Sequence, residues 1–108
     1  MILQYYMIHD NVHPPVRSNP SDAGLDLRWS PEDTSTQTLR IEPGESKLLP
    51  TGCRFAIPHG YMMEIKNRSS VAAKRHLLVG AGVVDSGYDG EVFVNLHNVG
   101  TVEQLFNP

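Results

Sequence analysis

Apolar residues in this chain come in short runs, each ended by proline or glycine. Leu3 to Ile8 is one run and Leu39 to Ile41 another, closed by the turn Glu42-Pro43-Gly44-Glu45. Lys47 to Leu49 follows, then the break Pro50-Thr51-Gly52 and the run Cys53 to Ile57. Pro58-His59-Gly60 leads into Tyr61 to Lys66. Turn signals roughly eight to twelve residues apart are the pattern of an all-β sandwich or barrel.

One segment breaks that pattern. Ser70 to Leu77 (Ser-Val-Ala-Ala-Lys-Arg-His-Leu) lacks glycine and proline and carries two alanines, which predicts a short helix with Ser69 or Ser70 at its N-cap. Beyond it, Gly80 to Val84 and Glu91 to Leu96 read as two strands around the loop Asp85-Ser86-Gly87-Tyr88-Asp89-Gly90. The expected fold is all-β with one short helix.

Composition narrows the picture. At 108 residues the chain is expected to be one domain spanning 1–108, small enough that assembly with further copies would help it bury apolar surface. A hydrophobic fraction of 40% and a charged fraction of 19% suit a folded protein rather than a disordered one. The net charge of −3 and pI near 5.9 leave no electrostatic footprint for nucleic acid. Lys66, Arg68, Lys74 and Arg75 nevertheless gather four of the nine basic residues, which predicts a local site for a small polyanion. The lone Cys53 excludes an intrachain disulfide and, set in an apolar run, is expected to be buried. The five histidines show no metal-ligand spacing. The opening MILQYYMIHD has no basic leader and is too short and mixed to span a membrane, so the expected location is the cytoplasm, or the nucleus in a eukaryotic host.

Three blocks carry candidate chemistry. A strand ending in Arg68-Ser69-Ser70 and feeding a helix aims a guanidinium, two hydroxyls and backbone N–H groups at one point, an arrangement that binds phosphate. The same residues also serve as an ordinary helix cap. The stretch from Gly80 to Gly90 holds four glycines in eleven residues, which would let the main chain approach a flat ligand, and a hairpin there would offer free backbone groups to a pyrimidine edge. Within it Asp85 is a candidate general base for water, and Tyr88 is placed to lie against a sugar. In Ala23-Gly24-Leu25-Asp26-Leu27, a single carboxylate would hold Mg²⁺ only through water. Ser69 and Ser70 lack a nucleophile-elbow context, which argues against a serine hydrolase.

Taken together, Ala-Gly-Leu-Asp-Leu at 23 to 27, Arg-Ser-Ser-Val-Ala at 68 to 72 and Gly-Val-Val-Asp-Ser-Gly-Tyr-Asp-Gly at 82 to 90 resemble the first three of five signature motifs of trimeric dUTP pyrophosphatases, in order and at that family's spacing. The resemblance implies a distorted jelly-roll β fold (the dUTPase-like β-clip), a homotrimer, and Mg²⁺-assisted hydrolysis of dUTP to dUMP and pyrophosphate. It implies that Asp85 activates the attacking water, that Tyr88 packs under the deoxyribose, and that main-chain groups of Gly82, Val83 and Val84 read uracil beside Phe93. Ser69 would contact phosphate by its hydroxyl, Ser70 by its N–H and Arg68 by charge, with Asp26 holding a water on Mg²⁺.

The chain also departs from the family. Asn67 stands where a proline usually precedes Arg-Ser, Asp89 where a basic residue commonly follows the tyrosine, and Val79 where many bacterial members have asparagine. After Leu105-Phe106-Asn107-Pro108 the family continues with Gly-Asp-Arg-Ile-Ala-Gln and a glycine-rich tail, so a fragment or a C-terminally short form is expected. Two other functions compete with dUTP hydrolysis. One is a catalytically weak nucleotide-binding or regulatory module on the same fold. The other is a dCTP deaminase, which would need a glutamate where Asn95 stands.

Overall fold

A computed structural model describes residues 2–33 and 38–107 of the chain. Among them are nine strands and one helix: β1 (Gln4–Met7), β2 (Leu39–Ile41), β3 (Ser46–Pro50), β4 (Cys53–Ala56), β5 (Met62–Glu64), α1 (Ser69–Arg75), β6 (Leu77–Val79), β7 (Val83–Asp85), β8 (Phe93–Asn98) and β9 (Gln104–Phe106). The expected all-β fold with a short helix is what forms.

The strands associate as four small sheets, β1-β4, β2-β9, β3-β8-β6 and β5-β7, and every pair is antiparallel. Among the described residues no pair joins two strands consecutive in sequence. The hairpin expected around Asp85 to Gly90 is therefore absent. β7 pairs with β5, whereas β8 pairs with β3 and β6, so the loop passes between two sheets. The run Gly80 to Val84 is likewise split, because β6 stops at Val79 and β7 starts at Val83. The Asp26 segment contributes only an isolated bridge between Val16 and Asp26.

The core follows the period-two rule. In β4, Cys53 and Phe55 are buried while Arg54 and Ala56 face out. Cys53, Phe55, Ile57 and Val92 form one cluster, with Leu3, Val12, Leu27, Met63, Ile65 and Val84 packed against it. Cys53 is 1% exposed, and burial, aided by the nearby Glu91 carboxylate, pushes its thiol up from the ordinary range. Buried polar groups are satisfied: the Thr51 hydroxyl donates to the Val92 carbonyl at 2.7 Å, and the Asn98 amide donates to Ile41 and Val102 carbonyls at 2.9 Å each. Much apolar surface stays outside, including Tyr6, Leu48, Met62 and Phe93. The radius of gyration of 14.2 Å exceeds the roughly 13 Å typical of a compact domain this long. The shell is open.

Candidate active site

Alternation along β7 builds the first half of the site. Val84 points into the core cluster, so Val83 and Asp85 face the opposite side, where they are exposed. There they line a cleft of about 330 Å³ with Tyr88, Phe93, Ile65 and Leu48. That volume lies at the lower end of small-molecule pockets. Leu48 reaches the cleft because β3 pairs with β8, setting Leu48 opposite Asn95, two residues along from Phe93.

Backbone groups face the cleft as well. Ile65 N–H donates to the Gly82 carbonyl at 2.7 Å, which extends the β5-β7 ladder by one residue. Antiparallel ladders alternate, so Val84 exchanges bonds with Met63 while the N–H and C=O of Val83 point away from β5. Among the described residues Val83 thus has a backbone donor and acceptor with no strand partner, along the free edge of β7.

Three of the four loop glycines matter through close approach, and at Gly80 a Cβ would clash with Asn95 Oδ1. A Cβ on Gly82 would lie 2.9 Å from the Ile65 carbonyl oxygen, and one on Gly90 would lie 2.9 Å from the Tyr88 hydroxyl. None of the loop glycines occupies the left-handed region. Positive φ among the described glycines is confined to Gly44, Gly52 and Gly60, in turns elsewhere. The expected need for unusual backbone conformations gives way to a need for space. Gly87 meets neither constraint.

Tyr88 is fixed from both sides of its Cα. Its N–H donates to the Asp85 carbonyl at 3.1 Å, closing a turn, and its hydroxyl donates to the Glu91 carbonyl. The ring therefore folds over Gly90 at the mouth of the cleft, within one turn of Asp85. The Asp85 carboxylate makes no hydrogen bond or ion pair among the described residues, so both oxygens stay available to a water.

The second half lies at the start of α1. Arg68 occupies the N-cap with extended backbone (φ −79°, ψ 129°) and makes no side-chain cap bond, so the cap expected at Ser69 or Ser70 falls one residue earlier. The first intrahelical bond runs from Ala72 N–H to the Arg68 carbonyl at 2.9 Å. The N–H groups before it have no helical acceptor; those of Ser69 and Ser70 belong to exposed residues, that of Val71 to a half-buried one. Arg68 Nη1 lies 3.7 Å from Asp26 Oδ2, which also accepts from the Ser18 hydroxyl at 2.6 Å. An ion pair this open is worth about 0–1 kcal/mol, so Arg68 can exchange Asp26 for another anion at little cost. Asp26 is a single carboxylate with one oxygen already engaged. That donor set fits a Mg²⁺ ion held through water and substrate phosphates, and does not fit an all-protein cage.

The four-cation cluster does not form as a unit. Lys66 pairs with Glu64 at 3.1 Å, and Arg75 is taken up by the C-terminal strand. The helix itself separates the rest. At 1.5 Å per residue, Lys74 and Arg75 sit about 8 Å along the axis from Ser69 and Ser70. Nor do the two halves of the site meet: among the described residues no hydrogen bond or ion pair joins Asp26, Arg68, Ser69 or Ser70 to the cleft of Asp85 and Tyr88, and none of the four lines it.

Comparison with known proteins decides the family. The dUTPase family model matches residues 10–104. The chain belongs to the dUTPase family. It is 38% identical over 100 residues to a deoxyuridine 5'-triphosphate nucleotidohydrolase of Streptomyces avermitilis, covering 91% of this chain and 54% of that protein. A mutant dUTPase from phage phi11 of S. aureus, solved to show coordination of a structural Mg(II) ion, superposes with a TM-score of 0.79 at 31% identity. The match covers 92% of this chain and 61% of that one. A mutant dUTPase of Staphylococcus bacteriophage 80alpha with dUpNHpp gives 0.80 at 31% identity, covering 92% and 55%. The chain spans about half the length of the curated relatives it matches.

Against the dUTPase pattern, two contacts escape sequence reasoning. Asn67, legible only as a substitute for the usual proline, accepts the Val79 N–H on its side-chain oxygen at 2.7 Å and so ties the entry of α1 to the exit of β6. Ser18 orients Asp26 across eight positions of loop, and nothing in its neighbourhood announces that role. Asn95 accepts the ring N–H of His97 on its Oδ1 at 2.6 Å, beneath Gly80, and offers no carboxylate for deaminase chemistry.

Proposed function

We propose that this chain carries the dUTP-hydrolysing chemistry of the dUTPase family, converting dUTP and water to dUMP and pyrophosphate in nucleotide metabolism. The observation that carries this reading is the cleft in which Asp85, Tyr88, Phe93 and the free edge of β7 converge.

In this reading Val83 and its neighbours Gly82 and Val84 meet the polar edge of uracil with main-chain groups, and Phe93 contributes the apolar wall. Tyr88 packs against the deoxyribose and leaves no room for a 2′-hydroxyl. Asp85 accepts a proton from water, whose oxygen attacks the α-phosphorus as the bond to the bridging oxygen breaks. Pyrophosphate departs with the electron pair of that bond. Ser69 offers its hydroxyl, Ser70 its N–H and Arg68 its charge to the phosphate chain. Asp26 would hold Mg²⁺ through water, and the ion when bound neutralises phosphate charge. The separation of the two halves within one chain supports a homotrimer, in which copies supply complementary halves. Charge and composition favour a soluble nucleotide as partner, with neither nucleic acid nor membrane, in the cytoplasm or, in a eukaryotic or viral setting, the nucleus or host cell.

Asp89, an acid beside the sugar-facing tyrosine, favours a second reading, a nucleotide-binding or regulatory module with little turnover. Pyrophosphate release from dUTP with Mg²⁺, against dCTP, dTTP and UTP controls, separates the two. Release from dUTP alone is the expected result. Tight dUTP binding by folded protein without release would replace the enzyme with the binding module.

A further inference from the structure

Helix α1 is poorly equipped to hold itself in place. It has seven residues, none buried, no side-chain cap and no acid in its first turn. Isolated helices shorter than about 12 residues are marginal in water. Its inner face is only partly packed: Val71 borders an apolar cavity of about 250 Å³, shared with Leu27, Trp29, Leu49 and Phe106. Contacts beyond that packing must help fix where Ser69 and Ser70 stand.

At the C-terminal end of the helix, Arg75 supplies that fixture. Its Nε donates to Gln104 Oε1 at 2.9 Å and its Nη2 to the Leu105 carbonyl at 2.6 Å. The guanidinium carbon lies 3.8 Å from the centroid of the Phe106 ring, in stacking distance. All three consecutive residues of β9 are thus held by one side chain. The strand they form is itself anchored, pairing with β2 through Leu39, Arg40 and the fully buried Ile41. The clasp therefore ties a loosely seated helix across a cavity to a fixed strand.

We propose that Arg75 is a positioning residue for the phosphate end of the site: by clasping β9 it sets the placement of Ser69 and Ser70 without touching the nucleotide. This rests on the reading of Ser69 and Ser70 as phosphate contacts given above. It also reassigns Arg75 from the anion site suggested by its neighbours in sequence. A direct charge role and a clasp make opposite predictions for lysine, which keeps the charge but can neither stack nor donate as a planar fork.

The test is calorimetric binding of dUTP with Mg²⁺, and of deoxyuridine, on an Asp85→Asn background that suppresses turnover. Arg75→Ala and Arg75→Lys should each weaken dUTP roughly tenfold, the equivalent of one charge-assisted phosphate contact, and leave deoxyuridine within about twofold. Gln104→Ala, which removes one bond of the clasp, should weaken dUTP by a smaller factor. Arg40→Ala, which removes only an exposed ion pair with Glu103 and leaves both the β2-β9 ladder and the clasp intact, should change neither ligand. Restoration of dUTP affinity by lysine would overturn the clasp in favour of long-range charge. Equal loss for both ligands, in Arg75→Ala and Gln104→Ala alike, would reduce Arg75 to a structural residue. A parent protein that binds dUTP no more tightly than deoxyuridine would remove the phosphate reading itself, before any Arg75 variant is made, and the positioning role with it.

Discussion

The two halves of the candidate site are built on different mechanical principles. The cleft beside Asp85 is carried by β7, a strand whose other face packs into the core through Val84 and whose ladder with β5 is extended by the Ile65–Gly82 bond. The phosphate end is carried by a short helix with no buried residue, an open ion pair and clasps at its two ends through Asn67 and Arg75. In the function proposed above, a strand keyed to the core would meet a flat, rigid ring, and a helix held only at its ends would meet the triphosphate. Base recognition and phosphate grip would then be separable, and substitutions should divide them.

The largest effect belongs to chemistry. Asp85→Asn should lower turnover by about 10²–10⁴-fold, the usual contribution of a general base, while Mg²⁺-dependent dUTP binding stays within a few-fold. Loss of binding in parallel with turnover would make Asp85 part of the frame of the cleft and blur the division between halves. Next comes Gly82→Ala, which forces a methyl group to 2.9 Å from the Ile65 carbonyl. Overpacking of this kind costs about 1–3 kcal/mol, read as a lowered urea midpoint. Deoxyuridine affinity should fall with it, and a fall confined to dUTP would contradict the assignment of the base to this side.

The helix side responds more gently. Asn67→Ala removes an acceptor for Val79 and should cost about 1 kcal/mol, with faster amide exchange at Val79. Asn67→Asp, which keeps the acceptor, should restore protection there. Smaller still is the pH response of the core beneath the cleft. Cys53 has its thiol raised in the folded chain, so the unfolded chain ionises first. Its stabilising contribution is complete below the unfolded thiol value of about 8.5 and is lost as pH rises through the folded value. A Cys53→Ser chain should show a flatter fall in melting temperature above that pH than the parent.

How far the sequence foretells this architecture varies with the distance over which each feature is decided. Strand β2 is read at its observed limits because its three residues sit between clear punctuation, and α1 lies within two residues of expectation. Asp85, Tyr88 and Phe93 come together as anticipated because a loop and its flanking strands are near in sequence. The partners of those strands are not legible. The apolar runs flanking the Asp85 to Gly90 loop say that two strands exist there, but not that one joins β5 and the other joins β3 and β6. Hence the hairpin reading fails. The basic cluster misleads for a related reason: proximity in sequence hides that Arg75 belongs to Gln104, Leu105 and Phe106, whose positions only the tertiary fold reveals. The loop glycines are noticed correctly and explained wrongly, since crowding by Ile65 and Tyr88 is invisible until the chain is folded.

Among the described residues no sheet is made from strands that follow one another in sequence, and this has a consequence for how the chain is born. Position 39 must wait for position 106, and position 4 for position 56, before either finds its partner. At a synthesis rate of about 5–20 residues per second, β2 leaves the ribosome several seconds before β9 exists. Throughout that interval its backbone donors and acceptors are open to any passing strand. Contacts so distant along the chain also slow folding after release. The hazard in the life of this molecule therefore lies early, in the time between making a strand and making its mate.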